Sequence, residues 1–307
     1  MVTTDYIWFD GKMVPWADAK VSVMCHALHY GDSAFEGIRA YDCGDAGSAV
    51  FRLKEHSQRL VNSCKILRIN LPYTAEQIYD ACIETLRVNK MKAAYLRPLS
   101  FVGFKEMGVF PGKNPVHTII AVWPWGAYLG PEALEQGIRV RTSSFTRIHP
   151  NTLMSKAKAG GNYINSILAK VEAVDDGYDE AIMLDPSGVV SEATGENLFI
   201  VSNGKIKTPP LTNTLGGITR ASLIELGRDL GYVVEELPFS RDEVYIADEA
   251  FFCGTAAELT PIREVDRRQI GAGHAGPITK HLQSEFFKVV HGQNPKYKDW
   301  LAPYTID

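Results

Sequence analysis

Two dipeptides, Asp10-Gly11 and Asn203-Gly204, each sit between short apolar runs. Such pairs accept the two positive-φ positions of a type I′ turn, so they commit the flanking runs to antiparallel hairpins. The first hairpin spans residues 6–14. The second joins residues 198–201 to 205–208. Helical patterns alternate with these strands. Residues 54–67 carry Leu60, Val61, Cys64 and Leu67 at helical spacing. Thr74-Ala-Glu-Gln77 reads as a capping box opening a helix to about Asn89, with Ile78, Ala81, Cys82 and Leu86 on one face. Residues 35–42 alternate toward a strand that pairs with 50–53, and residues 93–101 and 118–123 are apolar enough for interior strands. Further on, 138–144 reads as a strand. Residues 160–174 read as a helix with Tyr163, Ile164, Ile167, Leu168 and Val171 on one stripe, closed by Gly177. Residues 181–184 and 189–191 are strands around the turn Asp185-Pro-Ser-Gly188. A helix at 219–230, a strand at 232–237, a second capping box at Ser240-Arg-Asp-Glu243 and a last helix at 278–290 follow.

Strands interspersed with helices and hairpins predict an α+β fold of mixed or antiparallel sheets with flanking helices. The pattern breaks over 124–137, where Trp125-Gly126, Tyr128-Leu-Gly-Pro131 and Gly137 cluster. This places an N-terminal domain at 1–125, an interdomain loop at 126–137 and a C-terminal domain at 138–307. An ordinary surface loop within one domain is a close alternative.

A net charge of −4 with no basic cluster gives no footprint for nucleic acid. The five cysteines are scattered and form no C-x-x-C, which argues against a disulfide framework or structural zinc and for a reducing cytoplasm. His26 and His29 are the nearest histidine pair, and no histidines have metal spacing, so no metal site is expected. No run reaches the length of a membrane span, and the first residues lack the apolar core of a signal peptide. Neither G-x-S-x-G nor G-x-x-x-x-G-K-[ST] occurs.

The chemistry-bearing candidates lie mostly in the second half. Lys158 is flanked by Ala157, Ala159, Gly160 and Gly161, which leave room for a bulky ligand. A desolvated lysine can form a Schiff base. A surface lysine is the ordinary reading, from spacing alone the leading one, and it suits Lys156. Glu192 follows the strand-like Val189-Val190-Ser191; it reads either as a paired surface acid or as a partner for a pyridinium nitrogen. Gly216-Gly217-Ile218-Thr219-Arg220 is a glycine turn opening a helix, suited to phosphate or simply a capped loop. Gly254-Thr255-Ala256-Ala257 is a second small-residue turn after a buried strand. In the first half, Arg97 of Tyr95-Leu-Arg97-Pro98 faces inward if it shares a sheet face with Tyr95, or the strand ends at Pro98. Surface pairing is the ordinary reading of Arg59, on a helix; Arg39 is a further arginine among apolar neighbours.

Lys158-Ala-Gly-Gly-Asn-Tyr163, Glu192 with Gly195-Glu-Asn197, Gly217-Ile-Thr-Arg220 and Gly254-Thr-Ala-Ala-Glu258 together resemble the branched-chain-amino-acid aminotransferases. His29-Tyr-Gly31, Phe35-Glu-Gly-Ile-Arg39 and Tyr95-Leu-Arg-Pro98 extend the likeness over nearly the whole chain. The resemblance implies a two-domain fold type IV aminotransferase, like the D-amino-acid aminotransferases, with pyridoxal 5'-phosphate between the domains. It implies Lys158 as the Schiff-base lysine and proton carrier, Glu192 at the pyridine nitrogen and Tyr163 at the ring hydroxyl. Arg59, Ile218, Thr219 and Thr255 would hold the phosphate, with Leu215, Gly217 and Gly254 in the same cofactor set. Thr255, Ala256 and Tyr95 would take the substrate α-carboxylate. Tyr30, Phe35, Met107, Val109, Trp125 and Tyr128 would line the side-chain pocket, with Gly37, Arg39 and Ala257 beside them. Arg97 would meet the distal carboxylate of glutamate. The implied reaction moves the amino group of L-leucine, L-isoleucine or L-valine to 2-oxoglutarate. The implied partner is a second copy in a homodimer, which can assemble further as a trimer of dimers. Rivals of the same fold are a D-amino-acid aminotransferase and an aminodeoxychorismate lyase; a non-catalytic binding protein is the rival of another class. Two positions depart from the family pattern. Gly216 stands where proline is common, which would loosen the phosphate turn. Ala193 stands where glycine is usual, and is strained there if the position needs a positive φ.

Overall fold

The computed structural model describes residues 4–126 and 130–306. Contacts gather the chain into two units. The first comprises Met1–Trp125, Ala157–Gly161 and Lys288–Asp307; the second comprises Gly126–Lys156 and Asn162–Phe287. The last segment, which the sequence reading gave to the second domain, therefore counts with the first, as do the residues around Lys158. Pro131–Gln136, inside the expected loop, is a short helix.

The first unit is built on an eight-stranded sheet. In spatial order its strands are Leu301–Tyr304, Ser48–Phe51, Ile38–Asp42, Ala94–Val102, Val116–Trp123, Tyr6–Phe9 and Lys12–Pro15, with Ser33–Phe35 also pairing onto Ala94–Val102. All pairings are antiparallel. The expected hairpin forms: Phe9 pairs with Lys12, and Asp10 and Gly11 take φ of 45° and 87°. Helices Leu53–Leu67 and Ala75–Val88 bury Leu53, Leu60, Ile78 and Leu86 in one cluster with Ile38, Val50, Leu96 and Ile120 of the sheet. The second helix starts with the capping box: Thr74 Oγ1 accepts from Gln77 N at 3.2 Å, and Thr74 N donates to Gln77 Oε1 at 2.9 Å. Pro98 does not end its strand. It falls opposite the break between Ser33–Phe35 and Ile38–Asp42, where its carbonyl accepts from Glu36 N at 2.8 Å.

The second unit carries a nine-stranded mixed sheet. Its order is Val190–Ala193, Glu180–Leu184, Ile138–Thr142, Glu258–Val265, Glu249–Gly254, Asn197–Ser202, Lys205–Thr208 and Val234–Glu236, with Arg268–Gln269 folded back on Glu258–Val265. The central strands are buried along nearly their whole length, as strands covered on both faces must be. One face holds Leu198, Ile200, Ala250, Phe252 and Ile262. On the same two strands, Phe199 and Phe251 stack with ring centroids 5.0 Å apart. Gly227 of helix Ile218–Asp229 lies so close that a Cβ there would meet Val234 at 3.1 Å.

Two expectations fail here. Ser240 begins helix Arg241–Tyr245 without a cap hydrogen bond; its hydroxyl is turned to donate to the Asp242 carboxylate. Helix Tyr163–Asp175 does not bury its large apolar stripe: Ile164, Ile167, Leu168 and Val171 are exposed. It packs through Ala169 and Ala173 against Tyr178, Ala181 and Met183, since small residues let a helix approach a sheet closely. Gly160 and Gly161, expected in this helix, precede it. Among the described residues no helix is long and apolar enough to cross a membrane.

Thr74→Ala removes one arm of the capping box and should cost about 1 kcal/mol of helix stability. Amide hydrogen exchange over Ala75–Val88 should then speed up roughly fivefold. An unchanged rate would mean that the box is not what holds this helix start.

Candidate active site

In the first unit, the segment around Lys158 lies beside the strand Ser33–Phe35. Ala159 bridges Ala34. Phe35 N donates to Lys158 O at 3.0 Å, and Gly160 N donates to Ser33 O at 2.9 Å. Lys158 N donates to Ser63 Oγ at 3.0 Å. The Lys158 side chain is half-buried, with Nζ 4.9 Å from the Phe35 ring centre. The same ring has the Arg97 guanidinium 4.6 Å away. Arg97 and Tyr95 share a face, with Nη2 donating to Tyr95 Oη at 3.4 Å. Arg97 Nε is buried with no hydrogen-bond partner. Tyr95 packs edge-on against Trp125, whose carbonyl accepts from Arg39 Nη2 at 3.0 Å. Gly37 clears the Tyr95 hydroxyl; a Cβ there would stand 2.0 Å from it.

Arg59 is not the surface pair that its helix position suggests. Its Nε and Nη2 donate to the two oxygens of Glu36 at 2.7 and 2.8 Å. His56 Nδ1 lies 2.7 Å from Glu36 Oε2. Glu36 and His56 are fully buried. Burial pushes the Glu36 carboxyl up. The charge and hydrogen bonds of Arg59, then those of His56, outweigh it and bring it down to about 2. Burial lowers the pKa of His56, and the Arg59 and Lys158 charges add to this against the pull of Glu36.

In the second unit, Glu192 lies inside the strand Val190–Ala193 and is buried. Arg147 Nε donates to its Oε1 at 2.7 Å. Leu215 N and Asn197 Nδ2 donate to its Oε2 at 3.2 and 3.4 Å. Gly217 caps helix Ile218–Asp229, and a Cβ there would stand 1.9 Å from Asn197 Oδ1. Thr219 is buried in the first turn of that helix. Gly254 pairs with Glu258, so Thr255, Ala256 and Ala257 form the turn between two central strands. Tyr163 is the first residue of its helix.

The strand Val190–Ala193 includes Ala193 without a positive φ, so the expected strain is absent. Gly216 is loosely surrounded, with a Cβ there meeting only Leu211 at 4.0 Å. Met107 and Val109 stand exposed between strands Ala94–Val102 and Val116–Trp123, and Tyr30 is exposed beside the His26 ring. Tyr128 lies outside the described residues. Glu36, His56 and Arg147 were not singled out from the sequence. Glu36 and His56 had a signal, an acid inside an apolar run and a histidine three residues before Arg59 on one helix face. Arg147 had none.

Residues 33–265 match the model of the amino-transferase class IV family. The chain belongs to that family. It is 51% identical to the branched-chain-amino-acid aminotransferase of Pseudomonas aeruginosa over 294 residues, 96% of this chain and 95% of that protein. A crystal structure of the Escherichia coli branched-chain amino acid aminotransferase is similar at TM-score 0.95 and 51% identity, covering 97% of this chain and 98% of that one. The branched-chain amino acid aminotransferase from Thermobaculum terrenum in its PLP-form matches at TM-score 0.93 and 36% identity over 98% of both chains.

Because the carboxyl of Glu36 is depressed in the folded chain, it contributes stability that is fully present above its ordinary pKa of 4.5 and is lost as pH falls through about 2. The side-chain carboxyl carbon of Glu36, followed by NMR against pH, should stay at its ionised shift through pH 4. Titration in the ordinary glutamate range would show that Arg59 and His56 do not govern this group.

Proposed function

We propose that this chain is a pyridoxal-phosphate-dependent aminotransferase that moves the amino group of L-leucine, L-isoleucine or L-valine to 2-oxoglutarate, releasing the 2-oxo acid and L-glutamate. What carries the reading is the near-full-length likeness to enzymes of that name. The cofactor supplies an aldehyde carbon and a ring that accepts electrons from the substrate α-carbon.

Lys158 would hold the cofactor through its side-chain amine, and the same amine would take and return the proton of the substrate α-carbon. Glu192, fixed by Arg147, Leu215 and Asn197, would accept from the pyridine nitrogen. Tyr163 would meet the ring hydroxyl. Arg59, the helix start at Gly217-Ile218-Thr219 and the turn from Gly254 to Thr255 hold the phosphate, as free helix-start amides do. Thr255 and Ala256 with Tyr95 would take the α-carboxylate, with Ala257 beside the side-chain pocket. Phe35, Gly37, Arg39, Trp125 and Tyr128 shape the side-chain pocket. Arg97 receives the distal carboxylate of glutamate, and its orphaned buried Nε fits that role. A carboxylate and an isobutyl group can thus share a pocket, because the charge arrives at a waiting partner.

The working form is a homodimer on this reading. Val109 is 80% exposed, Leu28 68% and Ile164 62%, apolar side chains that a second copy would cover. Met107, Val109 and Tyr30 are then contributed by the second copy to its partner's pocket. All five cysteines are free thiols, which suits the cytoplasm.

The purified protein should show a visible band beyond the aromatic side chains that shifts on adding L-leucine. Lys158→Ala should lower turnover by roughly a thousandfold or more. A band that ignores L-leucine and answers D-alanine would overturn the substrate. No band after adding pyridoxal phosphate would overturn the enzyme.

A further inference from the structure

We infer that Glu36 is a positioning residue that sets the orientation of Arg59, so that the guanidinium meets the cofactor phosphate in one fixed pose. The inference rests on the pyridoxal-phosphate reading above. A buried ion pair is weak evidence for stability, since desolvation offsets most of the attraction. What the pair supplies is geometry. Arginine is a flexible side chain, and a bidentate fork leaves it one arrangement. Here the fork uses the Nε–Nη2 edge, at 2.7 and 2.8 Å, and leaves the Nη1 hydrogens directed away from Glu36.

Glu36 is itself immobile. Its side chain is 0% exposed, its own amide donates to Pro98 O, and the preceding amide donates to Lys158 O. His56 takes a further acceptor site on Oε2 at 2.7 Å. With Glu36 and Arg59 ionised, His56 Nδ1 must carry the proton, so this contact also has only one sense. His56, Arg59 and Ser63 stand on one face of helix Leu53–Leu67, at steps of three and four. Ser63 holds Lys158 N. One helix face therefore fixes both the phosphate-gripping cation and the main chain that carries the reactive amine. Glutamine at position 36 would set its amide donor either against Arg59 Nε or against Arg59 Nη2 and His56 together, opposing donor to donor.

The test uses full-length apoprotein and two ligands, pyridoxal phosphate and pyridoxal, which lacks the phosphate. Binding is read by equilibrium dialysis and tryptophan fluorescence. Glu36→Gln should weaken pyridoxal phosphate about tenfold or more and leave pyridoxal within about twofold, since one oriented charge-assisted hydrogen bond is worth roughly that factor. Added to Arg59→Met, Glu36→Gln should cost nothing further. If Glu36→Gln does not fold, Arg59→Lys keeps the charge without the fork and should show the same selective loss. Equal loss of both ligands in the folded Glu36→Gln variant, or no loss of either, would overturn the inference while leaving the enzyme reading intact. Full pyridoxal phosphate affinity in Arg59→Lys would overturn it too. A wild-type protein that binds neither ligand would overturn the cofactor reading and this inference with it.

Discussion

The position of Lys158 is set by main-chain pairing with the segment Gly31–Phe35. Phe35 N, Gly160 N and Gly161 N each donate across this pairing, to Lys158, Ser33 and Gly31 respectively. Only glycine allows the approach. A Cβ on Gly31 would stand 3.0 Å from Gly161 Cα, and one on Gly160 would stand 2.3 Å from Ser33 Oγ. The Gly-Gly pair after the lysine is therefore a packing requirement of the first unit, whatever room it also leaves for a ligand. The amine is delivered by backbone geometry, and the side chain has only its own torsions left to set.

Each unit also buries a carboxylate that it meets with an arginine and further donors. Glu36 has Arg59 and His56; Glu192 has Arg147, Leu215 N and Asn197. Such clusters gain little net stability over an apolar core, but half-satisfied they are costly. Each therefore holds its members in one arrangement. In the first unit that arrangement fixes a cation, and in the second it fixes an acid.

Turn chemistry and local capping were readable in the sequence, because they depend on residues within a few positions of each other. Asn203-Gly204 closes its hairpin with φ of 52° and 73°, and Thr74-Gln77 forms its box as written. Misreadings arose where another partner decides the outcome. Ser240 donates to the neighbouring Asp242 carboxylate and accepts nothing from the helix amides. Gly160 and Gly161 continue a helical pattern in sequence, yet pair with residues more than a hundred positions away. The stripe from Ile164 to Val171 has the right period for burial, but Ala169 and Ala173 fit the sheet more closely. The site motifs were readable as a set through their resemblance to a family. Arg147, 45 positions from Glu192, carried no local mark.

The stretch Phe35-Glu36-Gly37 leaves little room for substitution, since each position is committed to a different contact. In extended chain, consecutive side chains point to opposite sides. Phe35 places its ring against Lys158 Nζ and the Arg97 guanidinium. Gly37 leaves room for the Tyr95 hydroxyl, which accepts from Arg97. Glu36 between them turns the other way, to His56 and Arg59. The break in the strand at Glu36–Gly37 lies opposite Pro98, so the central strand runs on through its proline while its neighbour is interrupted. Shifting this stretch by one residue would turn the acid toward Tyr95 and Arg97 and the phenyl ring toward the buried helix face. Three adjacent residues thus hold the register of the sheet, the orientation of Arg59 and the walls around Lys158 together.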